Sequence, residues 1–317
     1  MKLKVTFIAA AIAMSAGHAM ADRNDAITYQ YGWGNDASVD QASARRSSAD
    51  IWQHGAHNAS DIDQRGSRHE AVTEQFGTGN DIEVDQRGTR HSATHYQAGW
   101  YNKSSSDQRG SRNTVAVQQF GAGNSSTVEQ SGSRNNTDVL QNGKMNRSMA
   151  DQSGSFQQAN VSQSGYGNSS DVVQTGHYQN ADVNQSGIKN SSDISQSGEG
   201  LRGGENYASV NQSGYFDSSS IEQSGFRNVA HTTQSGFNND ADVSQEGLKN
   251  YSEVNQSGWN DIANVDQQGE YNVSNITQAA AGPMSWMSNN ATHIQHGAVN
   301  VATSYQYGGN NTARIVQ

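Results

Sequence analysis

The chain has 317 residues, with 33 glycines, one proline and no cysteine; 32% of it is hydrophobic and its formal net charge is −10 at pH 7. Without cysteine there is no disulfide framework, no thiol catalysis and no Cys-ligated metal, and the acidic balance gives no general attraction to nucleic acid or anionic lipid. So little apolar surface does not build an ordinary globular core, because burial must offset the ordering entropy of every residue.

Residues 1–21 read as a cleaved signal peptide. Met1-Lys-Leu-Lys4 is a short basic start, Val5 to Met14 is mostly apolar, and Ala19-Met20-Ala21 is a small-x-small cleavage site before Asp22. The apolar run is too short to span a bilayer comfortably, and no further membrane span is expected.

From 22 to 317 the chain repeats. A glutamine returns about every eleven residues, at Gln30, Gln41, Gln53, Gln64, Gln75, Gln86, Gln97, Gln108, Gln119, Gln130 and Gln141, and the register continues to Gln317 with two insertions on the way. Disordered chains need no residue type at a fixed place, so the period outweighs the polar composition. Before each glutamine the side chains alternate. Asn58, Ser60, Ile62 and Gln64 fall on one face, and Ala59, Asp61 and Asp63 on the other. That is a strand with one buried face. Val or Ile stands two places before the glutamine in 18 of 26 units, too sparse an apolar signal for an amphipathic helix. Glycine stands two places after it, as in Gly66, Gly88, Gly110 and Gly132, and Gly-x-x-Asn reads as a tight turn with a residue free to take positive φ.

A longer period of 22 lies beneath the eleven. The turns after Gln64, Gln86 and Gln108 read Arg-Gly-Ser-Arg-His, Arg-Gly-Thr-Arg-His and Arg-Gly-Ser-Arg-Asn, whereas those after Gln75 and Gln119 read Phe-Gly-Thr-Gly-Asn and Phe-Gly-Ala-Gly-Asn. Alternate units therefore stack in the same sheet. The expected fold is all-β: a two-sheet, cross-β-like β-solenoid of about 13 rungs with 22 residues per rung, roughly 60 Å long at about 4.8 Å per rung. Asn58, Asn80, Asn102, Asn124, Asn146, Asn168 and Asn190 form one inward column, and the register glutamines form others, each amide bonding to its equivalents above and below. A second turn column is mixed: His69, His91, Asn113, Asn135, Gln157 and Gln179. Outward, Asp63, Asp85 and Asp107 line up beside Arg65, Arg87 and Arg109. The insertions near 199–204 and 279–288 are expected to bulge as loops, the second holding Pro283 and Trp286.

No enzyme is expected, and no cofactor or metal. His91 and His95 are the nearest approach to a metal pair, weighed against His69 and His91 simply standing in for turn asparagines. The pattern starts at Asn24 and ends on a regular unit, so the ends of the stack are expected to add head to tail, giving a fibre.

The repeat Gln-x-Gly-x-x-Asn-x-Ala-x-Val-x-Gln, intact from Gln30 to Gln41, resembles the curlin repeat of bacterial curli subunits, and Tyr305 to Ala313 is similar to a major curlin. The resemblance implies a secreted amyloid subunit in a fibre on the outer surface of a Gram-negative bacterium, serving cell adhesion and biofilm matrix. Its partners would be further copies of itself, a nucleating subunit and outer-membrane secretion machinery. Gln30, Asn35, Gln41, Asn58, Gln64, Asn80 and Gln86 match the family's ladder residues by position. The chain departs from typical major curlins in having more repeats and almost nothing of a Gly/Asn-rich leader between Asp22 and the first unit. A minor nucleating subunit and a monomeric surface-displayed solenoid adhesin are the alternatives.

Overall fold

A computed structural model describes residues 23–198, 204–279 and 288–317. Its strands, numbered β1 to β26 in chain order, begin with β1 (Asp25–Trp33), β2 (Asp36–Arg45), β3 (Ser48–Ala56) and β4 (Ala59–Ser67) and close with β24 (Asn290–Ala298), β25 (Val301–Tyr307) and β26 (Thr312–Val316). Odd-numbered strands form one 13-stranded sheet and even-numbered strands the other. All pairings are parallel and, apart from one bulge between β2 and β4, in register, so glutamine meets glutamine and glycine meets glycine from rung to rung, as in Gln64↔Gln86 and Gly66↔Gly88. The chain is therefore a two-sheet β-solenoid with a 22-residue rung, the architecture expected from the alternating turns.

Between the sheets lies a single thin layer of side chains. Ile51, Ile62, Val117, Val128, Val172 and Val254 are wholly buried, and so are the glutamines beside them. Small Ala and Ser at the −4 position let the two sheets approach, and each Ile or Val supplies most of its strand's apolar burial. The cost of ordering so polar a chain is offset by the satisfaction of nearly every inward amide.

The strands are longer than the alternation suggested. Most have nine residues and run three places beyond the register glutamine. Gly66, Gly88, Gly110 and Gly132 accordingly lie inside strands and not in the turn itself. Two physical constraints act on them. Their φ angles run from +107° to +128°, and a Cβ on Gly110 would sit 2.1 Å from the carbonyl oxygen of Gly132 in the next rung. The chain reverses two residues later, at a left-handed residue such as Arg68 (φ 61°) followed by the inward His69. The twelve-residue interval from Gln41 to Gln53 is absorbed by a β-bulge between Asp40 and Ser43, which places Ala44 opposite Gly66.

The signal-peptide residues lie outside the described residues, as does most of each expected loop, 199–203 and 280–287. Among the described residues, no helix is long and apolar enough to cross a membrane.

Candidate functional site: the amide ladders

Inside the stack, each register glutamine does two jobs with one amide. The Nε2 of Gln64 donates to Oε1 of Gln86 at 2.9 Å and to the Ser48 carbonyl of the opposite sheet at 2.9 Å. It therefore ties rung to rung and sheet to sheet. The series repeats as Gln30 to Gln53 (2.7 Å), Gln41 to Gln64 (2.7 Å), Gln53 to Gln75 (2.9 Å), Gln75 to Gln97 (3.1 Å), Gln86 to Gln108 (2.8 Å), Gln97 to Gln119 (2.7 Å), Gln108 to Gln130 (3.0 Å) and Gln119 to Gln141 (2.7 Å). Every donor points toward the C-terminal end, so the ladder has a direction. It crosses both insertions unbroken, from Gln196 to Gln223 and from Gln278 to Gln306 at 2.8 and 2.7 Å.

The asparagines close the turns. Oδ1 of Asn58 accepts the backbone N–H of Asn80 at 3.1 Å, while Nδ2 of Asn80 donates to the carbonyls of Phe76 in its own turn and Gly99 in the next rung. Asn102, Asn124, Asn146, Asn168 and Asn190 continue the column, each backbone N–H held by the residue before it. Asn35 begins it, half-buried on the first rung.

In the mixed column the histidines play the asparagine part. His91 Nδ1 accepts the N–H of Asn113 at 3.2 Å and its Nε2 faces the carbonyl of Arg87 at 3.1 Å. His69 stacks on His91 with ring centroids 5.2 Å apart. Burial lowers the pKa of both, to about 4 for His91, where the neighbouring His69 lowers it further and backbone hydrogen bonds pull the other way. His95 points instead into the core, between Ser104 and the Ser106 hydroxyl 3.0 Å from Nε2. Complete burial drives its pKa down to about 3. Both nitrogens of each ring are thus engaged, in two separate environments. Among the described residues, no group of three or more His, Asp or Glu is placed to hold a metal ion.

Two features escaped the sequence reading. His95 occupies a place usually held by Val or Ile, and the strand facing it offers Ser at both nearby inward positions; His293 is matched by Ser274 and Ser304 in the same way. This pairing of a core His with facing serines is a legible signal. The other is Asp217 and Asp261, which replace Asn in the turn column and are almost wholly buried. One oxygen of each accepts from the next asparagine, Asn239 or Asn289, and the other has no partner. Burial raises both pKa values, against the hydrogen bonds from those asparagines.

On the outer face of the even-numbered sheet, Arg65 and Arg109 pair with Asp63 and Asp107 at 2.5 Å, and Arg87 pairs with Asp85. These pairs offset the like charges that stack rung upon rung.

A family model described as the curlin associated repeat matches residues 55–88, 107–132, 217–247 and 227–258. These stretches, about a third of the chain, are similar to the curlin-associated repeat. Each matched stretch holds register glutamines, strand glycines and turn amides of the ladders described above, so the repeat corresponds to the solenoid's own structural unit. No curated protein matches the chain.

Proposed function

We propose that this protein is a structural subunit of an extracellular, curli-like amyloid fibre, assembling head to tail and supporting cell adhesion and biofilm matrix. The observation that carries the reading is the polarity of the ladders at the two ends of the described stack. At β1 and β2, Gln30 and Gln41 donate onward to the next rung, and among the described residues no donor reaches their Oε1 atoms. At the other end, among the described residues, Nε2 of Gln306 and of Gln317 donates to a backbone carbonyl, that of Asn290 or Val301, and to no further glutamine. Acceptors at one end and donors at the other are complementary halves of the same ladder. A second copy placed on β25 and β26 continues both sheets in register, a heterologous contact that does not close. Val39 and Ile315, inward residues of the end strands, are only half-buried where interior counterparts are fully so, and this contact covers them.

Export through an outer-membrane machine and nucleation by a second subunit belong to the same reading, drawn from the curlin resemblance. Electron microscopy of the purified chain at micromolar concentration is the test: unbranched fibres support it, and a chain that stays monomeric for days points to the surface-adhesin alternative.

A further inference from the structure

One turn edge of the solenoid carries an arginine on each of five successive rungs: Arg46, Arg68, Arg90, Arg112 and Arg134. All five are exposed. Their backbones are joined in register, with the N–H of Arg68, Arg90, Arg112 and Arg134 bonding the preceding rung at 2.8 to 3.0 Å. The side chains therefore leave the edge in single file, one positive charge about every 4.8 Å.

Two physical costs oppose this arrangement. Each arginine holds φ between 55° and 61°, the left-handed region that is unfavourable for a residue with a Cβ. On the opposite turn edge the same structural position is taken by Gly34, Gly79, Gly123 and Gly167 on alternate rungs, where the conformation costs little. The second cost is repulsion between like charges stacked on neighbouring strands. Arg65, Arg87 and Arg109 relieve theirs by pairing with aspartates. In the edge column, Arg134 lies over the Phe156 ring at 4.9 Å, and among the described residues none of Arg46, Arg68, Arg90 and Arg112 forms an ion pair. Ser67 and His69, Thr89 and His91, and Ser111 and Asn113 adjoin the middle three, with Glu70, Ser92 and Thr114 one place further on; of these Glu70 alone is acidic. A row of charges that repels itself gains from a ligand that supplies the missing anions.

We propose that this arginine edge binds a linear acidic polysaccharide, its carboxylates lying along the column and its hydroxyls meeting the flanking Ser and Thr side chains. The single-file geometry fits a chain and not a plane. A file of charges about 4.8 Å apart suits a linear polyanion such as a polyuronate, whose carboxylates recur along its length. Single-stranded nucleic acid is bound through aromatic platforms interleaved with basic charge. Within the arginine rungs the stacked aromatic rings, such as Phe76, Tyr96 and Phe120, belong to the odd-numbered sheet, and the edge's own stacked pair, Phe156 and Tyr178, comes only after the last arginine and is not interleaved with the charges. The inference concerns one molecule and stands whether or not the chain polymerises.

Calorimetric titration of the purified full chain with polygalacturonate, at low and near-physiological salt, tests it. Arg68→Asn, Arg90→Asn and Arg112→Asn combined keep residues that tolerate the left-handed conformation, and should weaken binding by about tenfold or more and flatten its salt dependence. The matching lysine triple keeps the charge and should retain most of the affinity, which separates binding from any folding defect. Replacing Arg65, Arg87 and Arg109 by Gln, on the paired face, should change affinity by less than about twofold. Unchanged binding by the asparagine triple overturns the proposal. So does equal affinity for uncharged dextran, and tighter binding of a single-stranded oligonucleotide would make the edge a nucleic-acid site instead.

Discussion

Replacing Gln108 by Ala removes three hydrogen bonds at a position closed to solvent. Nε2 of Gln108 donates to Oε1 of Gln130 at 3.0 Å and to the Ser92 carbonyl at 3.1 Å, and its Oε1 accepts from Gln86 at 2.8 Å. After truncation Gln86 still reaches the Glu70 carbonyl at 3.1 Å, but Oε1 of Gln130 keeps no donor. One buried orphan costs about 1–3 kcal/mol and each lost hydrogen bond about 1 kcal/mol net. The orphan and the two other lost bonds give a destabilisation of about 3–5 kcal/mol, to which the void left by the truncated side chain adds. The control is Asp107→Asn, one residue away on the exposed face, where the expected change is below about 0.5 kcal/mol. Urea unfolding of monomer followed by circular dichroism reads both. Equal shifts for the two variants would refute the assignment of Gln108 to a closed ladder.

Three further outcomes follow from single contacts. Gly110→Ala, whose Cβ meets a backbone oxygen at 2.1 Å, should destabilise the fold by about 3 kcal/mol or more, whereas Gly123→Ala, with Met145 Cγ nearest at 3.7 Å, should cost about 1 kcal/mol in the same unfolding assay. Asp217→Asn supplies a donor for the turn carbonyl that Asn190 and Asn239 satisfy at 2.8 and 3.1 Å in their own turns, for a gain of about 1–2 kcal/mol at pH 7. Because burial raises the folded pKa of Asp217, the wild-type group loses stability as pH rises through that value, so the gain from Asn should shrink in acid. His95 acts in the opposite direction. Its pKa falls from 6.5 to about 3 on folding, so stability is lost as pH drops below 6.5, by about 2 kcal/mol between pH 7 and pH 5, and NMR of the imidazole should show it neutral at pH 5.

Much of this architecture was open to reading because the solenoid repeats its own local rules. The likeness of the turns after Gln64, Gln86 and Gln108 reports that those units are neighbours in space, and alternation around Ile62 reports which face is buried. Gly66 and Gly110 were harder. Positive φ is a property of one residue, but the 2.1 Å approach of the next rung's carbonyl exists only once the rungs are stacked, so a glycine inside a strand reads as a glycine in a turn. The extra residue between Gln41 and Gln53 similarly becomes intelligible only as a bulge that re-registers Ala44 with Gly66. His95 and Asp217 break the pattern at inward positions, and what they cost depends on partners that sequence spacing alone leaves unpaired: serines on the facing strand for one, an unmatched carboxylate oxygen for the other. The arginine edge was hidden because its members stand two residues beyond the conspicuous Gly, at places where the opposite turn alternates glycine with other residues.

The most direct measurement for the fibre account is seeded elongation by Arg314→Pro. In β26 the N–H of Gln317 bonds back to Ile294 at 2.9 Å, so by strand alternation the N–H groups of Ile315 and Ala313 also face β24, while that of Arg314 faces outward. Proline at 314 therefore removes a donor and adds a ring on the growing edge, and leaves the ladder within the molecule intact. Proline at Glu129, whose equivalent N–H joins β10 (Ser125–Ser133) to the next rung, serves as the internal comparison. The account predicts that the Arg314 variant keeps the wild-type circular dichroism spectrum yet adds to wild-type seeds much more slowly, while the Glu129 variant loses the spectrum itself. Elongation of the folded Arg314 variant at the wild-type rate would contradict growth by strand addition at this end.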